Sequence, residues 1–361
     1  MNPYSALPDR AFWRPAVAEK PMLEIGGLWD PKFAIAKDSA IATYGSCFAQ
    51  HIGNALGKRG YNWNISERAP EGMSWASARE FNYGIFSSRT GNIYTTTLLR
   101  QWLSWASGEK EPPAETWRKD GRFIDPFRPR IEPAGFRSED ELLASRRHAI
   151  ACFRDSIVSS DILVFTLGLT ESWRNRATGV EYPMCPGTVA GEYDPDVHAF
   201  HELGFQEIVD SLDASIAAMR QLNPAIRTLL TVSPVPLTAT NSGRHVLVAT
   251  MHSKSILRAV AGHMERRDAG VDYFPSYEII SSPPFRGAFF QDNLRSVDPS
   301  GVEFVMSNFF SAIEGAGNAV QQAASREKPS PVAPAVAGDG ADDVHCEEEF
   351  LDAFSRKSAH G

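Results

Sequence analysis

The sequence predicts an α/β fold, a parallel sheet with helices on both faces, and two observations carry this. Short runs at residues 40–44, 162–167, 228–232 and 271–274 are apolar at successive positions, as strands buried on both faces must be. Between them recur stretches with apolar residues at helical spacing, and such alternation marks strand-helix-strand units.

The elements follow in order. Residues 1–37, broken by Pro3, Pro8, Pro15 and Pro21, read as an irregular N-terminal arm whose Phe12, Trp13, Leu28, Trp29 and Phe33 pack across the body. The α/β domain is expected over residues 38–320. Its first strand meets Gly45-Ser46 and passes into a helix over 48–59, where Phe48, Ile52 and Leu56 recur every four residues. Residues 61–137, rich in Trp, Arg, Gly and Pro, form an insertion with a helix over 95–106, read as elaboration around the site with a lid as the alternative. Helices over 139–159, 204–222 and 252–267 each lead into a strand, residues 174–202 make a second large loop, and the last helix covers 299–312. Residues 321–361 pass through alternating Pro, Ala, Val and Gly to the acidic cluster Asp342-Asp343 and Glu347-Glu348-Glu349. That is the composition of a flexible tail, with a short helix at 348–354 suited to docking a protein partner.

The chain of 361 residues carries a formal charge of −8, which disfavours a nucleic-acid footprint, since neutralising phosphates needs a basic stripe. No run approaches the roughly 20 apolar residues needed to cross a bilayer, and the N-terminus lacks the apolar core of a secretory signal. The expected location is cytoplasmic, with no membrane partner. Cys47, Cys152, Cys185 and Cys346 are far apart without C-x-x-C spacing, so reduced thiols rather than zinc or a redox pair are expected. His198 and His201, among Asp194, Asp196 and Glu202, read as a solvated loop rather than a metal site. No metal or organic cofactor is implied.

Ligands of an open parallel sheet bind outside the carboxyl ends of its strands, which directs attention to Gly45-Ser46-Cys47. Gly45 permits a tight turn, and the helix N-terminus that follows aims its positive end at Ser46, so an oxygen nucleophile and part of an oxyanion hole are built together. Two other readings stay open: Ser46 as the helix N-cap, and Cys47 as a thiol nucleophile with a pKa lowered at a helix N-terminus.

Gly45-Ser46-Cys47-Phe48-Ala49 reproduces the motif that names the GSCFA family, and family-like stretches continue at Phe81-Asn82-Tyr83-Gly84, residues 166–173, residues 231–235 and residues 273–277. The chain resembles that family over about residues 40–312, and the family resembles the SGNH, or GDSL-like, hydrolases. The resemblance implies a three-layer, flavodoxin-like sheet and a catalytic serine at Ser46. It also implies oxyanion donors from a glycine and an asparagine: Gly84 fits the former, while Thr170 and Asn82 stand in for the latter. The SGNH base lies in D-x-x-H before the last helix, and here that stretch reads Asp292-Asn293-Leu294-Arg295. Arginine does not accept a proton at neutral pH, so Arg295 is left to hold an anionic substrate or a carboxylate. The base is then sought in His245, on the polar stretch Ser242-Gly243-Arg244-His245, with His252 as the alternative. Asp292 would orient the imidazole, and Glu171 is a substitute carboxylate or substrate contact. Trp63, Trp75, Trp102, Trp105, Trp117 and Trp173 offer faces on which sugars stack.

The expected function is a serine esterase or O-acyltransferase acting on an acylated small molecule or carbohydrate through an acyl-enzyme at Ser46. The alternative is a non-catalytic ligand-binding or regulatory protein that keeps the fold without the D-x-x-H base.

Overall fold

The computed structural model describes residues 2–324 and 347–355. It divides into two units, a larger one of residues 37–273 and 335–361 and a smaller one of residues 1–36 and 274–334. In chain order the elements are β1 (Ile41–Gly45), α1 (Phe48–Lys58), α2 (Trp75–Glu80), α3 (Thr96–Ala106), β2 (Trp117–Lys119), β3 (Arg122–Ile124), α4 (Glu139–Val158) and β4 (Ile162–Leu167). There follow β5 (Glu171–Asn175), β6 (Glu181–Tyr182), β7 (His198–Glu202), α5 (Phe205–Leu222), β8 (Arg227–Val232), α6 (Val246–Arg267), β9 (Val271–Phe274), α7 (Ser276–Ser281), α8 (Pro299–Ala324) and α9 (Asp352–Ser355).

The fold is α/β, with a four-stranded sheet in the order β1-β4-β8-β9 flanked by helices. β1 pairs parallel to β4, with Gly45 opposite Thr166, and β4 pairs parallel to β8. Every residue of β1 and β4 is buried, which is why these strands read as continuous apolar runs. On the free side of β1, Trp63 forms a single parallel bridge with Ile41. There the Ile41 N–H donates to Asn62 at 2.9 Å and the Asn64 N–H donates back to Ile41 at 2.8 Å. α1 packs on β1 and β4 and α6 on β8, while α3 packs with both α4 and α5, and α5 with α6. The helix starts are chemically marked: Thr95 Oγ1 accepts from the Leu98 N–H at 3.1 Å and Ser138 Oγ from the Glu141 N–H at 3.2 Å. Among the described residues no helix is long and apolar enough to cross a membrane.

Three expectations need correction. The expected loop 174–202 supplies most of a three-stranded antiparallel sheet, β6-β5-β7. In it Trp173 lies opposite both Tyr182 and Phe200, and these aromatic cross-strand pairs stabilise strands whose other positions are mostly polar. α6 begins at Val246, earlier than expected, because His245 caps it. The last helix continues to Ala324, and the remainder of the expected tail, residues 325–346 and 356–361, lies outside the described residues. In the smaller unit Trp29 stacks on Phe309 at 5.5 Å and meets Phe274 edge-on at 5.1 Å, whereas Phe12, Trp13 and Leu28 of the arm are exposed.

The insertion is built into the larger unit rather than set apart as a lid. α3 buries Leu98, Leu99, Trp102 and Leu103. Behind it Asp125, fully buried, receives Arg128 at 2.8 Å and Arg146 at 2.9 Å. Burial alone opposes charge on Asp125, yet the two guanidiniums prevail and hold its carboxyl below the usual range. Asp125→Asn leaves two buried cations without their counter-charge and should cost about 3–5 kcal/mol in urea unfolding. A carboxyl whose folded-state pKa is lowered contributes fully above its unfolded value and loses that contribution as pH falls through the folded one. The gap between wild type and variant should therefore narrow on acidification.

Candidate active site

The site is formed where β1 ends. Gly45 has φ +131°, and a β-carbon there would lie 2.4 Å from the Thr166 carbonyl oxygen, so no other residue fits without moving β4. The next residue is held through its backbone: the Ser46 N–H donates to Thr166 O at 3.1 Å, and Ser46 O accepts from the Ala49 N–H at 2.9 Å. The cap position of α1 is taken by Cys47, and no side chain caps this helix. Ser46 is only 2 % exposed, and its Oγ has no hydrogen-bond partner. The cap reading is therefore set aside, since a capping hydroxyl would accept an N–H of the first turn. A buried hydroxyl left unpaired costs about 1–3 kcal/mol, and no structural contact here offsets it. Cys47 is buried as well.

Two segments wall the serine. Gly168, just past β4, lies so near that a β-carbon on it would be 2.9 Å from Ser46 Cβ and 3.0 Å from Tyr94 O. Tyr94 O accepts from both the Gly168 and Leu169 N–H groups at 3.0 Å, and the Ile93 N–H donates to Gly45 O at 2.8 Å. From the other direction α6 delivers Lys254, 1 % exposed, whose Nζ donates to Gly168 O at 2.8 Å. Its neighbour Ser253 accepts from the Thr170 N–H at 3.2 Å.

The residues expected from sequence are placed as follows. Thr170 is buried beside this site, with its N–H committed to Ser253 and its hydroxyl without a partner. Glu171 pairs with neither Arg174 nor Arg176; it accepts from the Thr240 hydroxyl at 2.5 Å and the Asn241 N–H at 3.4 Å. Burial pushes the Glu171 carboxyl up. His245 is exposed and its Nδ1 accepts from the Leu247 N–H at 3.2 Å, so it caps α6 instead of lying on a free loop. His252 faces Glu202 at 3.4 Å. Neither imidazole is hydrogen-bonded to Ser46 Oγ. Asn82, at φ +61°, supports a turn by donating to Arg130 O at 2.8 Å, and Gly84 occupies a left-handed turn position with nothing within 4 Å of where a β-carbon would be. The insertion segment that reaches the end of β1 is residues 92–94, not 82–84. Asp292 and Arg295 belong to the smaller unit, in a turn closed by the Phe290–Val297 bridge. There Asp292 is exposed, Arg295 is half-buried, and Asn293 Oδ1 accepts the Arg295 N–H at 2.9 Å. His198 accepts the Asp194 N–H at 3.1 Å and His201 pairs with Glu207 at 2.8 Å, so the two histidines serve separate local contacts.

Sequence reasoning missed Asn92, Tyr94, Ser253 and Lys254. Gly91-Asn92 was a readable turn signal of the same kind as Asn82-Gly84, whereas nothing in the helical pattern distinguishes Lys254 from a surface lysine.

Just beyond Leu169 lies a cavity of about 270 Å³, lined by Leu169, Trp173, Pro183, Met184, Leu237 and Ala239 among others. Tyr94, Leu169, Leu237 and Ala249 form one apolar cluster, so the wall of the serine and the wall of the cavity are continuous. Of the tryptophans singled out above, Trp173 lines this cavity, while Trp102, Trp105 and Trp117 are core residues and Trp75 is exposed.

A model of the GSCFA family matches residues 40–309. No curated protein matches the chain. The tightness of the wall gives a direct check: Gly168→Ala must displace Ser46 or Tyr94, and this overpacking should lower stability by about 1–3 kcal/mol, read as a fall in the urea midpoint at unchanged slope.

Proposed function

The chain belongs to the GSCFA family, and from that premise we propose that Ser46 is the nucleophile of an SGNH-type serine esterase or O-acyltransferase. The observation that carries the reading is the buried Ser46 hydroxyl, unpartnered at the carboxyl end of the first sheet strand. The topology supports it. Counting the Trp63 bridge as a rudimentary second strand, the sheet runs bridge, β1, β4, β8, β9. So counted, the order corresponds to 2-1-3-4-5 and supports a flavodoxin-like reading, in which the switch point lies beside β1, where such sheets bind ligands.

In this reading Ser46 Oγ bonds to the ester carbonyl carbon, the alcohol leaves with a proton, and the acyl-enzyme gives its acyl group to water or to a sugar hydroxyl. The Ser46 N–H is already bound to Thr166 O, so oxyanion stabilisation falls to the Thr170 hydroxyl and to Asn92, whose Oδ1 is oriented by Gln50 at 3.3 Å. For the proton, His245 would have to release the start of α6, and His252 would have to leave Glu202. Lys254 is a buried basic group already at the wall of the site: its Nζ donates to Gly168 O, and Gly168 packs against Ser46. Serine-lysine pairs are an established variant of the triad; we therefore assign the proton acceptor to Lys254 in its neutral form.

The second reading, a ligand-binding protein without catalysis, is favoured by Arg295 in the place of the SGNH histidine and by the lack, among the described residues, of an imidazole bonded to Ser46. A fluorophosphonate probe followed by intact mass and peptide mapping separates the two. The catalytic reading expects a single adduct on Ser46, absent in Ser46→Ala and retained in Cys47→Ala. Labelling should slow about tenfold or more in both Lys254→Met and Lys254→Arg, because neither side chain accepts a proton at neutral pH. A folded protein that stays unlabelled, or labelling that survives in Ser46→Ala, overturns it in favour of the binding protein.

A further inference from the structure

Part of the wall of the cavity beside Leu169 is supplied by the chain's own C-terminal segment. Residues 347–351 form a 3₁₀ turn that runs into α9, and Glu348, Leu351 and Phe354 line the cavity opposite Leu169 and Leu237. Their spacing of three places them on one face of such a turn. Glu348 is buried, and the guanidinium of Arg130 lies 5.0 Å from the ring of Phe350. The segment expected from sequence to dock a partner thus docks on its own larger unit.

Three features make this a cover rather than a permanent wall. Phe354 remains 50 % exposed, so the contact is shallow. A helical turn this short is not stable alone in water, and its order depends on the surface beneath it. Finally, the cavity it covers resembles a ligand site rather than a packing fault: at about 270 Å³ it is close to the smallest small-molecule pockets, near 300 Å³. Its lining is mainly apolar, and burial pushes the thiol of Cys185 on its wall up to about 12, keeping it uncharged. Polar groups occur at one end, where Glu171 is held by Thr240 and Asn241. Leu169, which separates the cavity from Gly168, places it within one residue of the wall of Ser46.

We propose that this cavity receives the apolar acyl group of the substrate, and that residues 347–355 are a displaceable cover competing with it for the same walls. The acyl assignment rests on the Ser46 reading above; the competition does not. Opening the cover exposes Leu169, Trp173 and Leu237 to the acyl chain and leaves the carbonyl beside Gly168 and Ser46. The enzyme is then self-restrained, and a short or medium apolar acyl group is both its substrate and the agent that releases it.

The test uses the full chain and hexanamide, a neutral stand-in for an acyl group, titrated calorimetrically into a Ser46→Ala background so that no chemistry intervenes. A Leu351→Asp/Phe354→Asp double variant should bind hexanamide about tenfold more tightly than the parent if the cover is closed nine-tenths of the time. Ala239→Trp, which fills the cavity, should abolish binding. Equal affinity with and without the double substitution, binding that persists in Ala239→Trp, or no binding by any of the proteins would overturn the proposal. The outcome is separable from that of the nucleophile. An affinity shift in a protein whose serine never labels keeps the cover and removes the esterase, whereas labelling without an affinity shift does the reverse.

Discussion

The close approach of β1 and β4 at Gly45 governs the rest of the site. With no β-carbon at residue 45, the backbone can turn against the Thr166 carbonyl, which then takes the Ser46 N–H. Gly168 repeats the device on the β4 side, and there the space of a missing β-carbon is filled by Ser46 Cβ and Tyr94 O. The slot that holds the serine hydroxyl is thus defined by two absent side chains. Because backbone on three sides fixes it, the serine is positioned independently of its own hydroxyl, which is left without a partner.

The parts of this arrangement legible in the sequence are local. A strand buried on both faces shows as an unbroken apolar run, and the turn into α1 shows as Gly45-Ser46 before Phe48, Ile52 and Leu56; β1, β4, β8 and β9 all lie within a residue of their expected positions. The antiparallel sheet of β5, β6 and β7 escaped because its strands are short and largely polar, with single aromatics whose partners are some ten to thirty positions away in the chain. His245 looked like a free loop residue because cap geometry depends on where the helix starts, and periodicity alone locates helix ends poorly.

Lys254 is the sharpest case of a site residue hidden from pattern. It lies mid-helix between Ser253 and Ser255, where composition suggests a solvated face, yet it is almost completely buried because the loop after β4 turns back over α6 and presents Gly168 O to it. The same non-local logic explains Asp125. A carboxylate in a Pro-rich insertion looks like a solvated side chain until α4 brings Arg146 across the chain to join Arg128. In both cases burial of an ionisable side chain follows from which segments fold together, information that no window of sequence contains.

The C-terminal cover is carried on the same polypeptide as the cavity it closes. Its effective concentration at that cavity is therefore set by chain connectivity and is unaffected by how much protein is present. A soluble inhibitor would dissociate on dilution and would have to be matched to the amount of enzyme. A tethered cover gives each molecule the same threshold, so the ligand level at which half the molecules are open is an intrinsic constant, preserved from one expression level to another.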